Sequence, residues 1–180
     1  MSTEASEFLS YVHRHAPESI GITLDRQGWV DVDILLAVAV RAGKGIDRAA
    51  LDAIVATSDK KRFTLSPDGS RIRAAQGHSV NVALGFVLQE PPSTLFHGTA
   101  LRTVATIMAE GLKPGARNHV HLSSDAETAR RVGARHGTPV VLTVAADRMW
   151  RDGIPFYRAD NGVWLVGEVP PTYLGRPEEE

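Results

Sequence analysis

Arg117-Asn118-His119-Val120-His121-Leu122-Ser123 is the stretch best equipped for chemistry. In an extended chain, His119 and His121 fall on one face and Val120 and Leu122 on the other. One face can enter a core while the other presents imidazoles beside the Arg117 guanidinium. Imidazole exchanges protons near neutrality, and a guanidinium fork grips phosphate oxygens bidentately. A surface strand with two exposed histidines would have the same pattern, so its meaning depends on the segments that join it.

Two other groups carry comparable chemistry. His13-Arg14-His15 closes a helix expected from about Glu4, with Phe8, Leu9 and Val12 at helical spacing and Pro17 beyond. Cations are favoured at a helix C-terminus, so Arg14 and His15 also have a plain reading as caps. Lys60, Lys61, Arg62, Arg71 and Arg73 crowd a β-hairpin read from Phe63-Thr64-Leu65, the turn Ser66-Pro67-Asp68-Gly69, and Arg71-Ile72-Arg73. Gln76-Gly77-His78-Ser79 follow directly. Lys60, Lys61 and Arg71 read as solvated guards of an edge strand. Arg62 precedes the expected core anchor Phe63, which fixes its direction and makes it a candidate phosphate ligand.

The elements that position these groups are legible by pattern. Asp31 or Asp33 caps an apolar helix through Ile34, Leu35, Val38 and Ala39, closed near Gly43. Asp47 caps another, whose Leu51, Ile54 and Val55 form one stripe. Helices followed by a hairpin suggest a winged-helix module. Leu88-Gln89-Glu90-Pro91-Pro92-Ser93 reads as a linker. Beyond it, Leu95 to Thr99 form a strand, and a helix places Leu101, Val104, Ala105 and Met108 on one face before stopping at Gly111. Gly98 permits close backbone approach of a ligand, and Thr99 adds a hydroxyl. Asp125 caps a helix toward Gly137, Val140 to Val144 form a buried strand, and Trp150, Phe156, Tyr157 and Gly162 to Val166 complete a strand-rich half.

Composition excludes several classes. The 180 residues, 43% hydrophobic, support a true core in one domain or two small ones. With no cysteine, disulfide frameworks, thiolate catalysis and zinc-thiolate sites are excluded. The N-terminus lacks a basic leader and an apolar run, and no stretch is long enough to span a membrane, so a cytoplasmic protein is expected. Net charge is −1, and a tail ending in Glu178, Glu179 and Glu180 is expected to be disordered; the remainder carries 20 basic against 18 acidic residues. There is no phosphate-binding P-loop, no Gly-x-Gly-x-x-Gly, no Gly-x-Ser-x-Gly elbow and no evident carboxylate pair. His119 and His121 lack a third metal ligand nearby, so no metal is expected.

Taken together, the segments resemble the RNA 2′-phosphotransferase family, which removes a tRNA splice-junction 2′-phosphate using NAD. The matching pieces are Ser6 to Leu9 with Arg14-His15, Gly28-Trp29-Val30, Lys61-Arg62-Phe63, Ile72-Arg73-Ala74, and Gln76-Gly77-His78-Ser79. They continue with His97-Gly98-Thr99, Gly111-Leu112, Arg117 with His119 to Ser123, Gly162-Val163-Trp164-Leu165, Val169-Pro170-Pro171 and Tyr173-Leu174. His13 and Val166 depart from it, where an apolar residue and a threonine are commoner.

The resemblance implies an α+β fold with a winged-helix RNA lobe over residues 1–88 and an ADP-ribosyltransferase-like split-sheet lobe over 95–175, ahead of the tail 176–180. It implies a catalytic set of Arg14, His15, Arg62 and Arg117, and RNA contacts from Arg14, Arg62, Arg73, Gln76 and His78. NAD, consumed as co-substrate, would meet His97, Gly98, Thr99, His121, Leu122, Ser123 and Val163. The implied reaction passes through an RNA-2′-phospho-ADP-ribose intermediate to nicotinamide, 2′-OH RNA and ADP-ribose 1″,2″-cyclic phosphate. Three arginines would neutralise the phosphate, and His15 would carry the proton transfers. Two other readings stand beside it: an ADP-ribosyltransferase that caps terminal phosphates of RNA or DNA, and a non-enzymatic NAD-sensing nucleic-acid binder. Nothing in the sequence signals a dimer, so a monomer is expected.

Overall fold

A computed structural model of the chain describes residues 2–57, 61–80 and 86–175. Lys60 and the acidic tail 176–180 lie outside the described residues. The described residues form six α-helices and small antiparallel sheets, and the chain divides into two compact units, Met1–Gly85 and Phe86–Glu180.

The first unit opens with α1 (Ser2–Arg14), whose Leu9 and Val12 are fully buried. Strand β1 (Val30–Asp31) leads straight into α2 (Val32–Arg41), and α3 (Arg48–Thr57) follows. Asp31 caps α2 by accepting from the backbone N–H groups of Asp33 and Ile34 at 2.9 and 3.1 Å. Asp47 accepts from Ala50 N at 2.8 Å at the head of α3. Each such cap is worth about 1 kcal/mol. Strands β2 (Phe63–Leu65) and β3 (Arg71–Ala74) form the expected hairpin, with Phe63 opposite Ala74, and the sheet runs β1-β3-β2. Asp68 fastens the turn. The Ser66 hydroxyl, then the Ser70 amide and hydroxyl, hold its carboxyl down to about 2. Val32, Leu35, Leu51, Ile54, Phe63 and Ile72 close one core over Leu9 and Val12.

The second unit contains β4 (Thr94–Ala100), α4 (Leu101–Glu110), β5 (Val120–Leu122), α5 (Ala126–Gly133), β6 (Pro139–Ala145) and α6 (Ala146–Arg151). Strands β7 (Phe156–Arg158), β8 (Trp164–Val166) and β9 (Leu174–Gly175) complete it. One sheet is ordered β4-β6-β9 and the other β5-β8-β7. Among the described residues a single bridge joins them. Phe96 and Ser123 exchange both backbone hydrogen bonds, at 2.9 and 2.8 Å, and the strands pair with different partners on either side. The core beneath is built from Leu95, Leu122, Val144, Met149, Phe156, Trp164 and Val166.

Three expectations change. Leu101, the first residue of α4, and Ala105 are exposed, and the helix buries Val104 with Ile107 and Met108 partly covered. Trp150 belongs to the short helix α6 instead of a strand. Leu88 and Gln89, read as linker, pair with β7: Leu88 bridges Tyr157, and Gln89 N donates to Phe156 O at 2.9 Å. No helix among the described residues is long and apolar enough to cross a membrane.

Candidate active site

In the first unit the functional side chains gather at the C-terminal end of α1. The last turn leaves backbone carbonyls without helical partners. The Arg14 carbonyl accepts from Ser79 N at 2.8 Å, and the Ser79 hydroxyl lies 2.9 Å from His15 Nδ1. The segment after β3 therefore ties the Arg14-His15 pair in place. His15 itself is exposed, while Arg14 is half-buried.

His78, one residue before Ser79, is 2% exposed and has no hydrogen-bond partner among the described residues on either ring nitrogen. Burial first, and then the positive fields of Arg14, His13, His15 and Arg73, press its pKa down to about 3, so the ring is neutral at ordinary pH. The Gln76 Oε1 is likewise buried and without a partner among the described residues. A buried neutral imidazole without a hydrogen-bond partner, close to the charges of Arg14, His15 and Arg73, makes the end of α1 an unusually polar cluster. His13 is fully buried, donates from Nδ1 to the Leu9 carbonyl at 2.9 Å, and packs edge-on against Phe63. Burial holds its pKa down to about 4.

Arg62 immediately precedes β2. Its carbonyl accepts from Ala75 N at 2.9 Å, and its Nη1 donates to the buried Ser6 hydroxyl on α1 at 3.1 Å. Arg73 lies on β3 with its guanidinium carbon 4.6 Å from the centre of the Trp29 ring.

In the second unit β5 has the alternation expected for it. Val120 and Leu122 are buried at 4% and 1%, while His121 faces the other way. Leu122 packs into the core, so only its backbone is available to a ligand. Arg117 Nη1 lies 2.9 Å from His121 Nδ1, and the His121 carbonyl lies 3.2 Å from His97 Nδ1 on β4. Arginine has no acceptor, so His121 Nδ1 is the unprotonated nitrogen; a carbonyl only accepts, so His97 Nδ1 carries its proton. Burial depresses the pKa of His97, partly offset by that carbonyl bond and reinforced by His136, which leaves its Nε2 as an acceptor.

Thr99 shares a 2.7 Å hydrogen bond with Thr103 at the head of α4. Ser123 stands at the bridge where the two sheets part, and Val163 directly precedes β8, its carbonyl held by Ala159 N at 2.9 Å. Gly98 has a structural explanation of its own. A Cβ there would collide with the Ala129 carbonyl and stand 2.9 Å from Gly133 N, so the glycine admits α5 against β4. His119 is wedged edge-on between Phe86 and Tyr157, and burial lowers its pKa. That contact gives His119 a packing role.

Residues 1–168, which carry all of these side chains, match the family model described as RNA 2′-phosphotransferase, Tpt1 / KptA family. The chain belongs to the RNA 2′-phosphotransferase family. It is 63% identical over 174 residues to a probable RNA 2′-phosphotransferase of Agrobacterium fabrum, covering 97% of this chain and 94% of the relative. It is 56% identical over 172 residues to proteins of that name from Escherichia coli and Shigella boydii, covering 95% of this chain and 94% of each relative.

Within this RNA 2′-phosphotransferase family member, each group of candidate residues is gathered inside its own unit. Arg14 and His15 at the α1 end are tied to the segment that carries Gln76 and His78, Arg62 is bound farther along the same helix, Arg73 lies on Trp29, and Arg117, His121, His97 and Ser123 share the β4–β5 junction. Ser6, Ser79 and Thr103 were not among the candidates, yet each holds one that was. Their partners lie 56 and 64 residues away for Ser6 and Ser79, beyond the reach of local pattern.

Proposed function

We propose that this chain removes an internal 2′-phosphate from RNA, of the kind left at a tRNA splice junction, by transferring it to NAD. The observation that carries the reading is the set of polar groups at the end of α1. There Arg14 and His15 are fastened by Ser79 in front of the unsatisfied His78. A dianionic phosphate is the ligand that such a cluster favours, because guanidinium forks neutralise it and donate to its oxygens. Membership of the RNA 2′-phosphotransferase family supports removal of a 2′-phosphate from RNA.

NAD is supported by the polar groups at the β4–β5 junction. A histidine with an open acceptor nitrogen, a serine at the parting of two sheets and a nearby threonine fit a nicotinamide ribose. When bound, NAD supplies nicotinamide as leaving group at C1″ and a neighbouring 2″-hydroxyl, so the phosphate departs as ADP-ribose 1″,2″-cyclic phosphate. Val163 offers no carboxylate, and none is required, because the attacking phosphate is already an anion.

Arg14, Arg62 and Arg117 bind the phosphate oxygens and offset the charge that builds at phosphorus. His15 holds the proton that must leave the 2″-hydroxyl and end on the RNA 2′-oxygen. His97, His121 and Ser123 orient the ribose. We read the first unit, three helices with a β1-β3-β2 sheet, as a winged-helix RNA lobe. The second, two three-stranded sheets sharing one bridge, we read as an ADP-ribosyltransferase-like lobe.

The test is nicotinamide release from NAD by pure protein given an RNA oligonucleotide with one internal 2′-phosphate. Release that requires the 2′-phosphate, with the RNA recovered as its 2′-hydroxyl form, supports the reading. RNA left permanently ADP-ribosylated favours a capping transferase, and RNA binding without any nicotinamide release favours a binding module.

A further inference from the structure

We propose that Trp29 is a positioning residue that holds Arg73 toward the polar cluster at the end of α1. The inference rests on reading that cluster as the RNA 2′-phosphate site. Alternation along β3 buries Ile72 and Ala74 completely and sends Arg71 and Arg73 to the opposite face. In the β1–β3 register Val30 faces Ile72, so Trp29, one residue earlier, comes opposite Arg73. The indole lies under both guanidinia, 4.6 Å from Arg73 and 5.4 Å from Arg71.

Trp29 is itself well anchored. Asp25 N donates to the Trp29 carbonyl at 2.9 Å, and Asp25 Oδ1 accepts from Gln27 N and Trp29 N at 2.8 and 2.9 Å. The other carboxylate oxygen stands 3.6 Å from Arg71 Nη1. Two guanidinia on one face of a strand repel each other, and here one carboxylate and one aromatic face offset that repulsion. Asp25 pairs with Arg71, while Arg73 is directed by the ring. Arg71 thus has a defined role, as the clasp between β3 and the Asp25 turn, instead of standing as a solvated edge guard.

Arg73 connects this stack to the chemistry. Strand β3 ends one residue beyond it and runs into the segment whose Ser79 fastens Arg14 and His15. A flexible arginine would lose rotamer freedom on gripping a phosphate. One laid on an indole has given up that freedom in advance. Trp29 touches no reacting atom in this scheme; it acts through Arg73.

The test compares Trp29→Leu, Trp29→Phe and Arg73→Lys in the full chain. Binding of a fluorescent 2′-phosphorylated RNA is read by anisotropy without NAD, and KM for RNA and for NAD are read in turnover. Trp29→Leu should weaken RNA binding by roughly threefold to thirtyfold, with the KM for NAD unchanged. Trp29→Phe, which keeps a ring face, should stay within about threefold of wild type. Arg73→Lys should resemble Trp29→Leu, because an ammonium offers no planar fork. Wild-type RNA affinity in a folded Trp29→Leu protein, or equal loss in the Leu and Phe variants, would overturn the proposal. Should Trp29→Leu fail to fold, wild-type affinity in Arg73→Lys overturns it instead. Wild-type protein that binds the RNA but leaves its 2′-phosphate untouched would refute the proposed reaction, and the binding comparison would still decide the stack.

Discussion

Arg117 donates to Nδ1 of His121 at 2.9 Å, while the carbonyl of the same histidine accepts from His97 at 3.2 Å. His121 therefore aims the Arg117 guanidinium with its ring and the His97 imidazole with its backbone. Arg117→Ala should lower kcat by roughly 100- to 1,000-fold, the usual cost of losing a donor aimed at developing charge. His121→Ala should lose part of the same rate through a wandering Arg117. His121→Asn, which restores an acceptor, should recover much of that part. Steady-state kinetics check the series, and equal rates for His121→Ala and His121→Asn would count against the positioning role.

Arg62 offers a second case in which one neighbouring side chain directs a cation, here the Ser6 hydroxyl. Arg62→Ala should abolish measurable turnover with little change in thermal midpoint, since its guanidinium contributes no apolar burial to the core. Ser6→Ala removes only the 3.1 Å guide bond. A rate loss of about tenfold is expected, in line with one hydrogen bond to a charged group. Near wild-type turnover in Arg62→Ala would remove it from the phosphate site.

Acid should destabilise the first unit through its buried histidines. His13 and His78 stay neutral when folded down to about 4 and about 3, whereas the unfolded chain begins to protonate near 6.5. The unfolded state then binds more protons, so their contribution is full above about 6.5 and declines as pH falls toward those folded values. The slope is roughly 1.4 kcal/mol per pH unit for each histidine inside its window. Urea unfolding between these limits should show it, and His13→Leu should flatten it. An unchanged slope in His13→Leu would mean that His13 is not held neutral by the fold.

Gly98 should be intolerant for reasons of packing. Its missing Cβ leaves room for the Ala129 carbonyl and Gly133 N of α5, and neither backbone atom can swing aside as a side-chain tip would. Gly98→Ala should cost about 3 kcal/mol or more. A thermal midpoint equal to wild type would show that α5 can withdraw from β4 freely.

Much of this could be read from residue types alone. Asp31, Asp47 and Asp125 cap the helices they precede, the Pro67-Asp68-Gly69 turn closes its hairpin, and Val120 and Leu122 face inward. These features are local, determined by neighbours within a few residues. What stayed hidden depends on distant partners. Nothing near Leu88 or Gln89 announces that they pair with β7, and nothing near Gly98 announces α5. Helix α6 has six residues, too few for a periodic signal, and its N-cap Ala145 offers no side-chain bond. The chemistry-bearing types at Arg14, His15, Arg62 and Arg117 were visible in sequence, but the groups that aim them, Ser79, Ser6 and the His121 ring, emerged only from the fold.

In the proposed reaction the RNA 2′-phosphate leaves on ADP-ribose. The most direct measurement gives the protein an RNA whose internal 2′-phosphate is radiolabelled, with and without NAD, and follows the label. The label should move into ADP-ribose 1″,2″-cyclic phosphate only when NAD is present, with nicotinamide appearing in equal amount. Label released as inorganic phosphate, or removed equally well without NAD, would contradict it.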